Sequence, residues 1–135
     1  MEHRDIKIML VEDNPEDVYL TTKVLRRCKL DSKLKTAGDG QEALEALCRV
    51  ADAGEDLPDL LLLDINLPVM GGMELLRRLK KDERLDEIFV VMLTSSNMDD
   101  DIQRSYDLGA NTYLVKPISS DALLLVVQNL FEIAA

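Results

Sequence analysis

The sequence predicts an α/β domain in which five parallel strands in the doubly wound order 2-1-3-4-5 are covered by helices on both faces. Three observations carry this expectation. Short apolar runs alternate with amphipathic stretches five times along the 135 residues, the mark of repeated β-α units with right-handed crossovers. Leu60-Leu61-Leu62-Leu63 shows no polar alternation, as a central strand buried on both faces requires. Helix-capping residues open several of the amphipathic stretches, at Asn14, Asp39 and Ser119.

The first strand is expected over residues 6–11, apolar apart from Lys7. Asn14-Pro15-Glu16-Asp17 then starts a helix with an N-cap, a proline at the first helical position and acids in the first turn. Val18, Leu20, Thr22, Val24, Leu25 and Cys28 are expected to form its apolar face, up to about Lys29. A short second strand covers residues 34–37. Asp39 and Glu42 have capping-box spacing and open a helix with Ala43, Leu44, Ala46, Leu47 and Val50 facing inward. Residues 51–58 read as a loop broken by Gly54 and Pro58. The third strand ends in Asp64, and Leu75, Leu76 and Leu79 mark a third helix after Gly71-Gly72. The fourth strand is expected over residues 88–93, and the fourth helix over residues 98–108 with Asn97 as its cap. The fifth strand spans residues 112–115, and Ser119 caps a last helix reaching Phe131 or beyond.

Composition bounds the function. Hydrophobic residues at 47% and charged residues at 31% describe a chain able to build a core rather than a disordered tail. The formal charge of −10 argues against broad nucleic-acid backbone binding, which needs clustered cations. No apolar run is long enough for a membrane span, and residues 1–5 lack a signal core. Cys28 and Cys48 read as small apolar residues in a reducing compartment, so a cytoplasmic location is expected.

In the 2-1-3-4-5 order, ligands bind beyond the C-terminal strand ends at the switch point. Strand one ends in Glu12-Asp13, strand three in Asp64, strand four in Thr94-Ser95-Ser96 and strand five in Lys116-Pro117. The topology therefore gathers three carboxylates, a hydroxyl and an ammonium at one edge. Three carboxylates so close repel unless a cation sits among them. Donors that are all oxygen point to a hard ion, and Mg²⁺ keeps waters and phosphate oxygens in such sites. Beside that ion a carboxylate can act as nucleophile toward phosphorus. Asp64 is the candidate, with Lys116 neutralising the transferring group and Thr94 donating to a phosphoryl oxygen. Pro117 suggests a tight turn that aims the ammonium inward, with either proline isomer open.

The matching motifs are Leu10-Val11-Glu12-Asp13-Asn14, Leu63-Asp64-Ile65-Asn66-Leu67-Pro68-Val69-Met70-Gly71-Gly72, Leu93-Thr94-Ser95-Ser96 and Gly109-Ala110-Asn111-Thr112-Tyr113-Leu114-Val115-Lys116-Pro117. On these the chain resembles the receiver domain of two-component response regulators, a flavodoxin-like (βα)5 fold. The wording also looks like stand-alone regulators paired with phytochrome-type histidine kinases. The resemblance implies that Asp64 accepts a phosphoryl group from a kinase phosphohistidine. It implies Mg²⁺ held by Asp13, Asp64 and the Asn66 carbonyl, with Glu12 acting mainly through water. It makes Thr94 the switch hydroxyl, Lys116 the phosphate-contacting cation and Tyr113 an aromatic rotamer switch. Two departures stand out: Glu12 replaces the commoner Asp, and Gly71 stands where an Asp often precedes the turn glycine.

Residues 1–135 are expected to form one such domain with no output domain, so a signal would pass by conformational change or onward phosphotransfer to a downstream protein. The fourth helix carries few apolar anchors, which suits either a mobile element or a plain solvated face. In the last helix Leu123, Val126, Val127, Leu130 and Phe131 form a core stripe, while Leu124, Leu125 and Ile133 lie off it. That surplus suggests a homodimer through the fourth and fifth helices and fifth strand. Two other classes are weighed. A turnover phosphatase or phosphotransferase wants a second acid two residues after the nucleophile, where Asn66 stands. A flavin-binding module wants aromatics and a phosphate-cradling loop, where Glu12-Asp13-Asn14 stands.

Overall fold

The computed structural model describes residues 6–95 and 99–134. In chain order the elements are β1 (Lys7–Val11), α1 (Pro15–Arg27), β2 (Lys33–Ala37), α2 (Gly40–Asp52) and β3 (Leu60–Asp64). Then follow α3 (Gly72–Lys81), β4 (Phe89–Thr94), α4 (Asp99–Asp107), β5 (Thr112–Val115) and α5 (Ser120–Ala134). The strands are all parallel and ordered β2-β1-β3-β4-β5, as the alternation predicts. Expectations for Ser96, for an Asn97 cap and for a helix start at Met98 fall outside the described residues, as does the side chain of Ile133.

The sheet separates two cores, and the period-2 alternation of each strand decides which side chain enters which. Leu60 and Leu62 join Ile8, Leu10, Val91 and Leu93 under α1 and α5. Leu61 and Leu63 join Met9, Val11, Val90 and Met92 under α2 and α3. All of β3 and all of β4 are buried, which is why neither carries a polar residue before its last position. The two edge strands are less covered: β2 is mostly exposed and β5 only half-buried.

Local chemistry sets the helix ends. Asn14 caps α1, its Oδ1 accepting from the N–H groups of Glu16 and Asp17 at 2.9 and 3.2 Å. At α2, Asp39 Oδ1 accepts from the Glu42 N–H at 2.8 Å, but Glu42 reaches back to the Gly38 N–H rather than to that of Asp39. The reciprocal box is thus one residue wider than its spacing suggests. Helix α2 also runs to Asp52, beyond the expected break, and Gly54 supplies the left-handed turn after it. On α1 the core-facing positions are Thr21 and Leu25, with Val18, Val24 and Cys28 beside them, while Leu20 is exposed. The sequence expectation had put Leu20 and Thr22 on that face. The Ser119 hydroxyl accepts from the Ala122 N–H at 3.1 Å, capping α5 as expected. Helix α4 buries only Ser105 among its described side chains, whose hydroxyl bonds back to the Asp101 carbonyl at 2.8 Å.

Candidate functional site

Asp64 closes β3 and is 5% exposed, so its carboxylate is fixed by partners rather than by water. Its Oδ1 accepts the Asn66 backbone N–H at 2.9 Å, and its Oδ2 accepts the Lys116 ammonium at 2.8 Å. The chain after Asp64 leaves no space. A Cβ on Gly72 would lie 2.1 Å from the Asp64 carbonyl oxygen, so only glycine lets α3 start against the end of β3. Between them Val69 adopts φ +65° while 85% exposed, an unusual conformation for a β-branched residue.

Glu12 follows β1 and is buried. Its N–H donates to the Ala37 carbonyl at 3.0 Å, and its Oε2 accepts the Asn14 N–H at 3.2 Å. Its Oε1 accepts from Lys116. Asp13 is exposed, and oxygens of Glu12, Asp13 and Asp64 all lie within 4.8 Å of one another. The chain register brings these ends together: Val11 lies beside Leu63, and Asp64 beside Leu93. Thr94, buried at the end of β4, gives its carbonyl to the Lys116 N–H at 2.7 Å. The Lys116-Pro117 bond that follows is cis. Tyr113 lies on the α3 side of β5, its ring edge-on to Tyr106 of α4 at 6.2 Å.

Lys116 is therefore the hub. Its ammonium reaches Glu12, Asp64 and also Asp17, at 3.0 Å. Burial alone would weaken its hold on its proton, but the bonds to Asp64, Glu12 and Asp17 outweigh that and raise its pKa. Burial also dominates at Glu12, together with its bond to Asp64, pushing the carboxyl up to about 7 despite the ammonium beside it. Sequence reasoning took Asp17 for a first-turn helix acid and missed its reach to Lys116. No residue type in α1 marks that reach, because only the seating of the helix on the sheet turns Asp17 and Thr21, one turn on, to the inward side. Asp17, Leu20, Thr21, Ser95, Lys116, Pro117 and Ile118 line a cavity of about 280 Å³ beside the carboxylates.

The donors fit a hard divalent cation. Glu12, Asp13, Asp64 and Asp17 set four carboxylates against one ammonium, and the three that cluster offer oxygen alone. The structure brings together Glu12, Asp13, Asp64 and Lys116 as the strand ends predicted. It places Asn66 against Asp64 through its N–H, Thr94 on the adjacent strand end, and Tyr113 farther along β5, toward α4.

The family description "Response regulator receiver domain" matches residues 8–128. The chain is 38% identical over 125 residues to the probable methanogenesis regulatory protein FilR2 of Methanothrix harundinacea, covering 93% of this chain and 81% of that one. A solved structure of a phosphorylated cyanobacterial phytochrome response regulator, RcpA, is 40% identical with a TM-score of 0.75, covering 94% and 91% of the two chains. The Mn²⁺-bound form of response regulator Rcp1 is 36% identical with a TM-score of 0.71, covering 92% and 90%. No helix among the described residues is long and apolar enough to cross a membrane.

Proposed function

Since the chain belongs to the response regulator receiver family, we propose that it is a phosphorylation switch in which Asp64 accepts a phosphoryl group from the phosphohistidine of a histidine kinase. The observation that carries the reading is Asp64 itself. It is a buried carboxylate at the end of a wholly apolar strand, 2.8 Å from Lys116 and within the oxygen cluster of Glu12 and Asp13. An Asp64 oxygen bonds to phosphorus as the nitrogen–phosphorus bond of the donor breaks and the imidazole leaves with the electron pair. Asp13, Asp64 and the Asn66 carbonyl would hold Mg²⁺, with Glu12 acting through water. When bound, the ion neutralises charge on the phosphoryl oxygens. Lys116 supplies the second positive charge, and Thr94 donates its hydroxyl to a phosphoryl oxygen.

The likeness to the phytochrome response regulator RcpA supports a phytochrome-type kinase as partner. The signal passes on through a surface change, read by a downstream protein or by a phosphotransfer protein. Tyr113 turns its ring between orientations as Thr94 moves, and α4, with one small buried residue among its described side chains, follows at little cost. Tyr106, Leu124 and Leu125 are exposed at 43%, 38% and 59%, a surplus that supports a homodimer through α4, β5 and α5. Light scattering at high concentration that finds only monomer in both phosphorylation states removes the dimer.

Intact mass after incubation with acetyl phosphate and Mg²⁺ tests the central reading. A single phosphoryl adduct is expected, labile to hydroxylamine and missing from Asp64→Asn. An unmodified wild-type mass with acetyl phosphate and with candidate kinases overturns it.

A further inference from the structure

The Lys116 ammonium is fully committed before any phosphoryl group arrives. A lysine has three N–H donors, and here three carboxylates take them: Glu12, Asp64 and Asp17. Glu12 and Asp64 belong to the oxygen cluster that suits a cation, and Asp17 does not. The three acids also differ in exposure: the side chains of Glu12 and Asp64 are 0% and 7% exposed, that of Asp17 33%. Asp17 comes from α1, an element that contributes no residue to that cluster. Asp17 is thus the one of these three partners of Lys116 that has no part in the oxygen cluster.

We propose that Asp17 is a positioning residue, restraining the Lys116 ammonium on the α1 side of the site so that phosphoryl transfer must draw Lys116 away from it. This rests on the reading of Asp64 as phosphoacceptor. In the transfer, the Asp64 oxygen–phosphorus bond forms, the donor's bond to phosphorus breaks, and the leaving group departs with its electron pair. Lys116 moves one hydrogen bond from a carboxylate to a phosphoryl oxygen and keeps all its protons. Asp17 opposes that move twice, by holding the donor it needs and by adding negative charge where an anionic phosphodonor approaches.

The inference predicts a gain on mutation, which a merely structural role does not produce. Asp17→Asn removes the charge but leaves an oxygen of the same length. It is expected to raise the rate of phosphorylation by acetyl phosphate by about two- to fivefold, the range of a partly exposed ion pair. Asp17→Glu keeps the pairing and is expected to stay near wild type. Glu16→Gln removes the same charge from the adjacent, exposed position on the same helical turn and controls for charge alone. The second readout involves no phosphoryl chemistry: exchange of the Lys116 ammonium protons in EDTA, followed by ¹H–¹⁵N correlation with the resonance assigned by Lys116→Arg. Exchange is expected to quicken severalfold in Asp17→Asn and to stay unchanged in Glu16→Gln.

An Asp17→Asn rate at or below wild type in a protein that keeps its circular dichroism overturns the proposal. So does equal acceleration by Glu16→Gln, which reduces the effect to bulk charge. So does ammonium exchange in Asp17→Asn no faster than in wild type. If no variant forms an adduct, the phosphoacceptor reading fails, and the EDTA exchange experiment still reports by itself whether Asp17 restrains Lys116.

Discussion

Replacing Lys116 by Met removes the cation between Glu12 and Asp64 and leaves the buried Asp64 carboxylate without its ammonium partner. At an effective dielectric constant of about 20, a unit pair at the Asp64–Lys116 distance attracts by roughly 6 kcal/mol before desolvation is counted. Breaking one partner out of a buried pair costs about 3–5 kcal/mol. The lysine is 13% exposed and Asp17 33%, so water relieves part of this and the lower end, about 3 kcal/mol, applies. For a chain of 135 residues that corresponds to a fall in Tm of about 10 °C. Mg²⁺ is expected to offset the loss, because the carboxylates that Lys116 neutralises are those that would hold the ion. If saturating Mg²⁺ reduces the deficit to about 1 kcal/mol, linkage requires the variant to bind Mg²⁺ roughly 30-fold more tightly than wild type. Thermal melts in EDTA and across a Mg²⁺ titration measure both quantities. An equal deficit in EDTA and in saturating Mg²⁺ refutes the idea that lysine and cation share the same carboxylates.

Three further outcomes follow from local geometry. Gly72→Ala places a methyl group against the Asp64 carbonyl and the Ile65 Cα, backbone atoms that cannot swing aside, and is expected to cost about 2–3 kcal/mol in urea denaturation and to slow Asp64 phosphorylation. Val69→Asn removes about 1 kcal/mol of backbone strain at φ +65° and loses little burial, so the urea midpoint should rise. Glu74, in the first turn of α3, is held at about 2 by hydrogen bonds from Arg77 and Arg78, below its ordinary 4.5. A depressed native pKa gives stability that is complete above the unfolded value and lost as pH falls toward the native one. Glu74→Gln should therefore be less stable than wild type at pH 7, and the gap should narrow by pH 3 in urea titrations.

The parts of this molecule that were legible in the sequence are those set by pattern. The unbroken Leu60–Leu63 run places β3 at the centre, and the strict β-α alternation orders the sheet, so Glu12, Asp13, Asp64 and Lys116 come together from strand ends alone. Single-residue signals also held where a backbone N–H needs a partner, at Asn14 and Ser119. What escaped depends on the third dimension. Thr21 and Thr22 are chemically alike, and only the seating of α1 on the sheet makes the first of them buried. Asp17 looks like any first-turn acid until β5 brings Lys116 within reach. Gly72 reads as a turn residue, yet the helix itself has to pass close to the Asp64 carbonyl. The Glu42 bond to Gly38 instead of Asp39 depends on how the chain enters α2, which spacing does not encode.

The contrast between the covered centre of the sheet and its thinly covered β5 edge has a consequence in time. Amides in β3 and β4, sealed under two cores, exchange with solvent only when the whole domain opens. Those of β5 and α4 sit on a half-covered strand and a helix with one small buried anchor among its described side chains, so brief local openings suffice. A deuterium-uptake map should therefore show a step between β4 and β5, with Asp64 on the slow side and Tyr113 on the fast. The group assigned to the chemistry stands in the part of the sheet that holds still longest, beside a part with more freedom to respond.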